Sequence, residues 1–378
     1  MPKRFFYSCS FLLWVSLAGL FAQNARTSFK PGKLWPDDQG VHINAHGGGM
    51  LYYRDTYYWF GEYKSDDSNS ALVGVSCYSS TDLYNWKREP IALSVVNDPA
   101  SDIRRGCIIE RPKVVYNKKT GIFVMWFHLE LAGRGYDAAR VGIAVSDRVT
   151  GPYRFIRSYR PNAGRWPDNM PLTERTLAFS SSQEQEWWTP EWMAAVRQGL
   201  FVKRDFKDGQ MSRDMTIFVD DDGKAYHIFA SEENLTLDIA ELSDDYQSHT
   251  GKYIRVAPAG HNEAPAILKN DSTYFMITSG CTGWEPNAAR LFTAKNIWGP
   301  WTQLKNPWVG EKAGRSFDTQ GTFVFPVAGE KHAFIFMADR WRPEHPSDGR
   351  YVWIPIEFKD GVPVLNWKDE WSLDEFDR

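Results

Sequence analysis

Cysteine, charge of one sign and long apolar runs are all scarce in this chain of 378 residues. Of its four cysteines, Cys9 lies in the N-terminal apolar segment, which leaves Cys77, Cys107 and Cys281 in the rest of the chain. Three cysteines without a CxxC pair indicate neither a disulfide framework nor a cysteine-ligated zinc site. We therefore expect buried thiols that behave as small hydrophobic side chains, with one disulfide left open in an oxidising compartment.

The charge balance is close to neutral, because 44 Lys and Arg against 47 Asp and Glu give a formal net charge of −3. A nucleic-acid-binding domain carries a strongly basic face, so nucleic acid is not an expected partner. The hydrophobic content of 43% is enough for a sizeable core and excludes a disordered chain.

The N-terminus carries the one long apolar run. Lys3 and Arg4 precede an apolar segment from Phe11 to Phe21, and Ala22 offers a small residue for cleavage. This pattern predicts a signal peptide over residues 1–22, a tail over 23–35 and a single domain over 36–378. We expect an exported protein, periplasmic or extracellular. It should not insert into a membrane after cleavage, because no other stretch approaches the roughly 18 apolar residues of a spanning helix.

Aromatic residues and turn formers are abundant instead. The chain has 17 Trp, 17 Tyr and 23 Phe with 29 Gly and 21 Pro, which is typical of strands and tight turns. One unit recurs five times: a polar residue, a β run, a turn, a second aromatic β run and a close that bears Trp or Tyr. The copies begin near His42, Glu110, Arg213, Asn262 and Phe317. Repeats of about 50 residues with several strands each predict an all-β fold, a five-bladed β-propeller.

A long segment between the second and third copies departs from the repeat. It covers about residues 157–210 and contains one expected short helix, from Pro190 to Gln198. We interpret the segment as a loop insertion between blades 2 and 3, over one face of the propeller. Its Trp187, Trp188 and Trp192 either line a ligand cleft or hold the loop in place.

The innermost strand of each propeller blade points one end at the central axis, so equivalent residues of successive copies converge in space. That position is polar or ionisable in all five copies: His46, Glu110, Asp214, Glu263 and Gln320. Buried carboxylates are costly unless paired, and Arg111 and Arg213 offer structural partners. Three carboxylates in register nevertheless favour a functional site.

Converging carboxylates in an aromatic-rich pocket suit glycoside hydrolysis, which needs one protonated acid and a second group that handles water or the sugar. Repulsion between like charges raises the pKa of one carboxyl group and prepares an acid for use near neutral pH. Aromatic faces supply apolar platforms for sugar rings. These residues do not by themselves identify the sugar that is bound.

These motifs resemble glycoside hydrolase family 43, whose members are five-bladed propellers that invert the anomeric centre. Glu263 in NEAPAILK is similar to the general acid of that family, and Asp214 in RDMTIFVDDDG is similar to the aspartate that orients the acid and tunes its pKa. The resemblance extends from about Pro36 to Trp371, apart from the insertion.

The chain departs from the family where an aspartate base is usual, near the start of the first blade. It has HINAHGGG there, with no carboxylate, as in the subgroup of exo-acting galactan 1,3-β-galactosidases. That likeness implies that Gln320 in FDTQGTFVF holds the water and that Glu110 and Glu62 bind sugar. A neutral amide is a poor base, so this role requires an imidic-acid form or a relay.

Three further residues complete the predicted substrate site. Thr282 and Trp284 follow the acid blade and border the sugar pocket, with Trp284 as the stacking candidate. His46 is counted with them, although a buried axial histidine or a ligand of a central cation are alternatives for it. The resemblance implies no required cofactor and leaves open a structural Ca²⁺ or Na⁺ at the propeller axis.

The expected function is an inverting exo-glycosidase that releases galactose from a β-1,3-galactan such as the arabinogalactan backbone, a plant-type polysaccharide. An α-L-arabinofuranosidase or related furanosidase of the same family is the alternative, since close relatives share these motifs. A non-catalytic sugar-binding propeller that has lost its base is a third hypothesis.

Overall fold

The computed structural model describes residues 25–66, 68–180 and 186–377. The predicted leader, residues 1–22, lies outside them. The described chain is an all-β propeller, in which most elements are strands. In chain order the strands are β1 (His46–Tyr53), β2 (Thr56–Glu62), β3 (Gly74–Ser80), β4 (Lys87–Arg88), β5 (Leu93–Ser94), β6 (Ile108–Asn117), β7 (Ile122–Glu130), β8 (Arg140–Ser146), β9 (Arg154–Tyr159), β10 (Met215–Val219), β11 (Ala225–Ser231), β12 (Thr236–Leu242), β13 (His249–Val256), β14 (Asn262–Asn270), β15 (Thr273–Gly280), β16 (Arg290–Ala294), β17 (Thr302–Leu304), β18 (Trp308–Val309), β19 (Gln320–Pro326), β20 (Phe334–Arg340), β21 (Arg350–Pro355), β22 (Glu357–Lys359) and β23 (Val362–Asn366).

The strands form six sheets, so the prediction of five blades was wrong in its count. Five sheets are antiparallel meanders that begin at β1, β6, β10, β14 and β19. The sixth joins β18, which precedes the fifth copy of the repeat, to β23 and β22 from its end, and β18 pairs with β23 in parallel. A parallel pairing across more than 50 residues has no local turn signal, so the sequence repeat does not predict this sheet.

The inner strands close a ring. They contact one another in the order β1, β6, β10, β14, β19 and back to β1, which brings one end of each strand to a common centre. In the hairpin turn between β1 and β2, Arg54 and Asp55 both have positive φ (50° and 60°), as a two-residue type I′ turn requires. Many of the rings are core, and Trp59, Trp86, Trp126 and Trp353 are fully buried.

Between β9 and β10 the described chain carries three short helices: α1 (Leu172–Arg175), α2 (Pro190–Arg197) and α3 (Leu200–Arg204). The short helix predicted from Pro190 is therefore present, capped by the Thr189 side chain, which accepts a hydrogen bond from the Trp192 amide. Trp192 is buried and stacks on Trp187 at 4.9 Å between ring centroids, so it holds the segment in place.

The cysteine prediction holds in part. Cys77, Cys107 and Cys281 are all free thiols, and the first two are buried whereas Cys281 is only partly so. Over residues 25–66, 68–180 and 186–377, no helix has the length and apolar character needed to cross a bilayer.

Candidate active site

A recurrent β-bulge delivers the site residues to the centre. The pairing register shifts immediately after Glu110 in β6 and after Glu263 in β14. The next residues, Arg111 and Ala264, have positive φ (54° and 51°), which costs a non-glycine residue about 1 kcal/mol or more. A bulge re-aims a side chain. Both strands therefore hold strained backbone where a carboxylate turns toward the same space.

These side chains surround a cavity of about 410 Å³ at the centre of the ring. Six of the residues predicted from the sequence line it: Glu62, Glu110, Asp214, Glu263, Trp284 and Gln320. The volume lies in the ordinary range for small-ligand pockets. Glu263 and Gln320 thus share one cavity, as a scheme with an acid and a held water between them requires.

Glu263 is the carboxyl group best prepared to be an acid. Its Oε1 accepts hydrogen bonds from Asn234 Nδ2 (2.8 Å) and from the Cys281 thiol (2.9 Å). Burial, followed by the charge of Asp214, raises the pKa of Glu263 to about 7. At neutral pH a large fraction of Glu263 therefore carries a proton.

Asp214 is clamped by a guanidinium. Arg111 donates from Nε to Oδ1 (3.0 Å) and from Nη2 to Oδ2 (2.8 Å), the bidentate geometry that suits a carboxylate. Oδ2 also accepts from the backbone amide of Ala264 (3.1 Å), next to the acid. The salt bridge that the sequence offered as a structural alternative is thus formed, and it fixes an anion beside Glu263.

Gln320 is held on three sides. Its Oε1 accepts from Arg111 Nη2 (2.6 Å) and Trp341 Nε1 (2.9 Å), and its Nε2 donates to Ser279 Oγ (3.0 Å). The amide orientation is assigned from these partners, since the reverse one would set an NH₂ group against two donors. Both lone pairs of the amide oxygen are used, which favours the amide tautomer.

Glu110 is kept ionised by a histidine. Its Oε2 lies 3.0 Å from His128 Nδ1, and its Oε1 accepts from the Tyr136 hydroxyl (2.6 Å). Burial opposes both charges, but His128 sits between Glu110 and Glu130 and its pKa rises to about 9, while the pKa of Glu110 falls below its usual range. His128 Nε2 contacts Glu130 Oε1 at 2.8 Å, so the imidazole ring lies between two carboxylates.

Glu62 forms the floor beside the first blade. It is buried, its Oε1 accepts from the Arg111 amide (2.9 Å), and its Oε2 lies 2.7 Å from Lys64 Nζ. Gly47 makes room for it, because a Cβ atom at Gly47 would lie 2.1 Å from Glu62 Oε1. The glycine run in place of the usual base therefore accommodates a carboxylate from the neighbouring strand.

Two predicted substrate residues lie off the cavity. His46 is fully buried and stacks on Tyr351 at 5.3 Å between ring centroids. Burial lowers its pKa to about 3, so it is neutral, which favours the alternative of a buried axial histidine over a sugar ligand. The Thr282 hydroxyl donates to Glu285 O (2.5 Å) and accepts from Asn287 Nδ2 (2.7 Å), so it holds its own loop in shape, and its contact with substrate stays a prediction. Trp284 is 51% exposed and packs edge-on against Trp341, where its face is open for stacking.

The surroundings of His46 bear on the central cation that the family resemblance left open. The Lys113 ammonium donates to Gly47 O (2.9 Å) and Arg111 O (3.2 Å), and Asp339 Oδ2 accepts from Gly47 N (2.7 Å). Both ring nitrogens of His46 are buried without a hydrogen-bond partner in the described part of the chain. A structural Ca²⁺ or Na⁺ at the propeller axis stays a prediction.

Several lining residues were missed by the sequence interpretation: Lys64, Asn69, His128, Tyr136, Asn234 and Trp341. His128 lies on β7 directly opposite Glu110, a pairing that depends on the register shift in β6. Asn69 and Tyr136 lie in loops and connect Lys64 to Glu110 through consecutive hydrogen bonds. Their positions depend on tertiary structure rather than on any local pattern.

Comparison with known proteins gives consistent matches. The model of "Glycosyl hydrolases family 43" matches residues 174–363. A family-43 β-1,3-galactosidase solved with galactodeoxynojirimycin is 59% identical, with a TM-score of 0.90 over 91% of this chain and 100% of that one. The exo-β-1,3-galactanase of Phanerochaete chrysosporium is 32% identical, with a TM-score of 0.74 over 92% of this chain and 68% of that one. A β-D-galactofuranosidase of Aspergillus niger is 26% identical over 288 residues, which is 74% of this chain and 69% of the relative.

Proposed function

The chain belongs to glycoside hydrolase family 43, and from that membership we propose that it is an inverting, exo-acting enzyme that releases galactose from β-1,3-galactan. The observation that carries the proposal is the protonated Glu263, which faces a sugar-sized cavity that it shares with ionised Glu110. Relatives described as β-1,3-galactosidase and exo-β-1,3-galactanase support the choice of sugar and linkage.

Glu263 supplies the proton. As the bond between the anomeric carbon and the glycosidic oxygen breaks, the carboxyl proton moves to that oxygen, which leaves as an alcohol, and Glu263 becomes a carboxylate. Asp214 keeps Glu263 protonated until then by its charge, and Arg111 holds Asp214 in position.

Gln320 positions the water on the other side of the sugar. Because its oxygen is engaged by Arg111 and Trp341, the side chain orients the water through its NH₂ group and does not itself take the proton. The water oxygen bonds to the anomeric carbon and inverts it, and the proton it sheds passes to solvent. Reprotonation of Glu263 completes the cycle.

The remaining groups bind the sugar. Glu110, held as an anion by His128, and Glu62 beside Lys64 accept hydrogen bonds from hydroxyl groups, and Trp284 stacks against a ring face. The partner is a plant-type galactan or its oligosaccharides. We place the enzyme in the periplasm or outside the cell, because residues 1–22 have the pattern of a signal peptide. The tail over 23–35 and the insertion over about 157–210 would then flank and cover the catalytic domain.

The test is product analysis by NMR with β-1,3-galactobiose and arabinogalactan. The expected result is free galactose that appears first as the α-anomer, since a β-linkage is inverted. Galactose that appears first as the β-anomer would contradict the inverting scheme. Ligand binding without turnover, unchanged by Glu263→Gln, would identify a non-catalytic sugar-binding protein instead.

A furanosidase is the second candidate, favoured by the likeness to a β-D-galactofuranosidase. An aryl α-L-arabinofuranoside and an aryl β-D-galactofuranoside, assayed beside β-1,3-galactobiose at equal concentration, separate the two. Faster cleavage of either furanoside would overturn the pyranoside assignment and leave the family assignment intact.

A further inference from the structure

Two donors from different sheets meet on one oxygen of the proposed acid. Asn234 follows β11, and Cys281 immediately follows β15; neither residue was predicted to take part in the reaction. Asn234 Nδ2 lies 2.8 Å from Glu263 Oε1, and the Cys281 sulfur lies 2.9 Å from the same oxygen. Glu263 Oε1 is thus enclosed by groups of the protein.

Both groups act as donors. An amide nitrogen has only hydrogen atoms to give. Burial, followed by the charge of Glu263, raises the pKa of Cys281 to about 12, so the thiol keeps its proton across the range in which the enzyme would work. Asn234 Nδ2 also approaches the Cys281 sulfur at 3.7 Å, which leaves the thiol hydrogen directed at Glu263.

The arrangement distinguishes the two carboxyl oxygens. A proton on Oε1 would face two donors, whereas Oε1 as a carbonyl-type oxygen accepts from both. Among residues 25–66, 68–180 and 186–377, no hydrogen-bond donor or acceptor pairs with Glu263 Oε2. A proton on Oε2 is therefore free to reach a substrate oxygen in the cavity.

We propose that Cys281, together with Asn234, is a positioning residue that fixes the catalytic proton on Oε2 of Glu263 and sets the alkaline limit of activity. This inference rests on the proposed role of Glu263 as the general acid. The thiol does not touch the reacting atoms; it acts through the carboxyl group that it orients.

Substitutions of Cys281 should move the alkaline limb in opposite directions. The thiol hydrogen bond stabilises the carboxylate, so Cys281→Ala raises the pKa of Glu263 and shifts the limb upward by about half a pH unit. It also lowers kcat by about twofold, because the proton is then shared between two oxygens. Cys281→Ser keeps a donor of greater strength, so kcat is retained and the limb shifts downward.

The experiment measures kcat and KM for β-1,3-galactobiose between pH 4 and pH 9 in the wild type, Cys281→Ala and Cys281→Ser. Cys107→Ala, which removes a buried thiol away from the cavity, is the matched control, and thermal unfolding verifies that each variant is folded. An aryl β-galactoside whose leaving group needs no protonation should be cleaved at wild-type rate by Cys281→Ala.

Opposite shifts for Ala and Ser, with the control unchanged, support the inference. Equal alkaline limbs in all four proteins would overturn it, as would an equal loss of rate on the aryl substrate. A wild type that releases no galactose from either substrate would instead overturn the proposed function. Should Cys281→Ala fail to fold, the nearly isosteric Cys281→Ser still tests the downward shift.

Discussion

Glu110 and Glu263 occupy the same place in two sheets, yet their surroundings give them opposite charge states. Each precedes a bulge on an inner strand, and each lines the central cavity. Glu110 pairs with the His128 imidazolium and stays ionised, whereas Glu263 receives two neutral donors and lies near anionic Asp214. One fold position thus yields a sugar-binding anion in one sheet and an acid in another.

The difference originates on the second strand of each sheet. The residue opposite Glu110 is His128, and the residue opposite Glu263 is Ser279, whose hydroxyl accepts from Gln320. A single cross-strand partner decides whether the carboxyl group meets a positive charge. The predictions below test that division, from the largest expected effect to the smallest.

Removing the acid should have the largest effect. We expect Glu263→Gln to lower kcat on β-1,3-galactobiose by about 10³-fold, within the range for loss of a general acid. An aryl galactoside with an acidic leaving group should lose far less, because its departure needs no proton. Glu344→Gln, an exposed control, should match the wild type. Equal losses on both substrates would contradict the acid role.

Removal of the His128 imidazolium beside Glu110 should have the next largest effect. His128→Asn leaves the carboxylates of Glu110 and Glu130 buried without their imidazolium. The free energy of unfolding should fall by about 3 kcal/mol, and kcat/KM should fall roughly 100-fold through poorer sugar binding. Urea denaturation and initial rates measure both. Unchanged stability would show that the two carboxylates do not depend on His128.

Asp214→Asn tests whether the negative charge of Asp214 keeps Glu263 protonated while Glu110 is ionised. Loss of that negative charge lowers the pKa of Glu263, which is about 7 in the wild type. Since the acid works when protonated, the alkaline limb of kcat/KM should move from near pH 7 toward lower pH. A pH–rate profile of the two proteins measures the shift. An upward shift would be contrary to the electrostatic role.

The smallest effect is on stability. The pKa of Glu263 is raised from 4.5 to about 7 on folding, so its stabilising contribution is complete below pH 4.5 and is lost as the pH rises through 7. Glu263→Gln should therefore be more stable than the wild type at pH 8, by about 2 kcal/mol, and should gain nothing at pH 4. Denaturation at both pH values decides; a gain of equal size at pH 4 would point to packing instead.

The sequence predicted the all-β propeller, the helix at Pro190 and the three carboxylates in register that line the cavity, because each has a local pattern. It could not place His128 opposite Glu110. Counting from the hairpin turn at Asn117 and Ile122 would set Leu129 there, and only the bulge moves the register by one residue. Arg111 was noticed as a partner, but its contacts with Asp214, Gln320 and Gly321 join segments more than 100 residues apart.

The space at Gly47 has an evolutionary consequence. A side chain at that position and the carboxylate of Glu62 would compete for the same volume, since a Cβ atom there would lie 2.1 Å from Glu62 Oε1, far inside van der Waals contact. A side chain at Gly47 therefore requires the loss or redirection of the Glu62 carboxylate. The two positions should be epistatic, so that the effect of changing both differs from the sum of the two single changes.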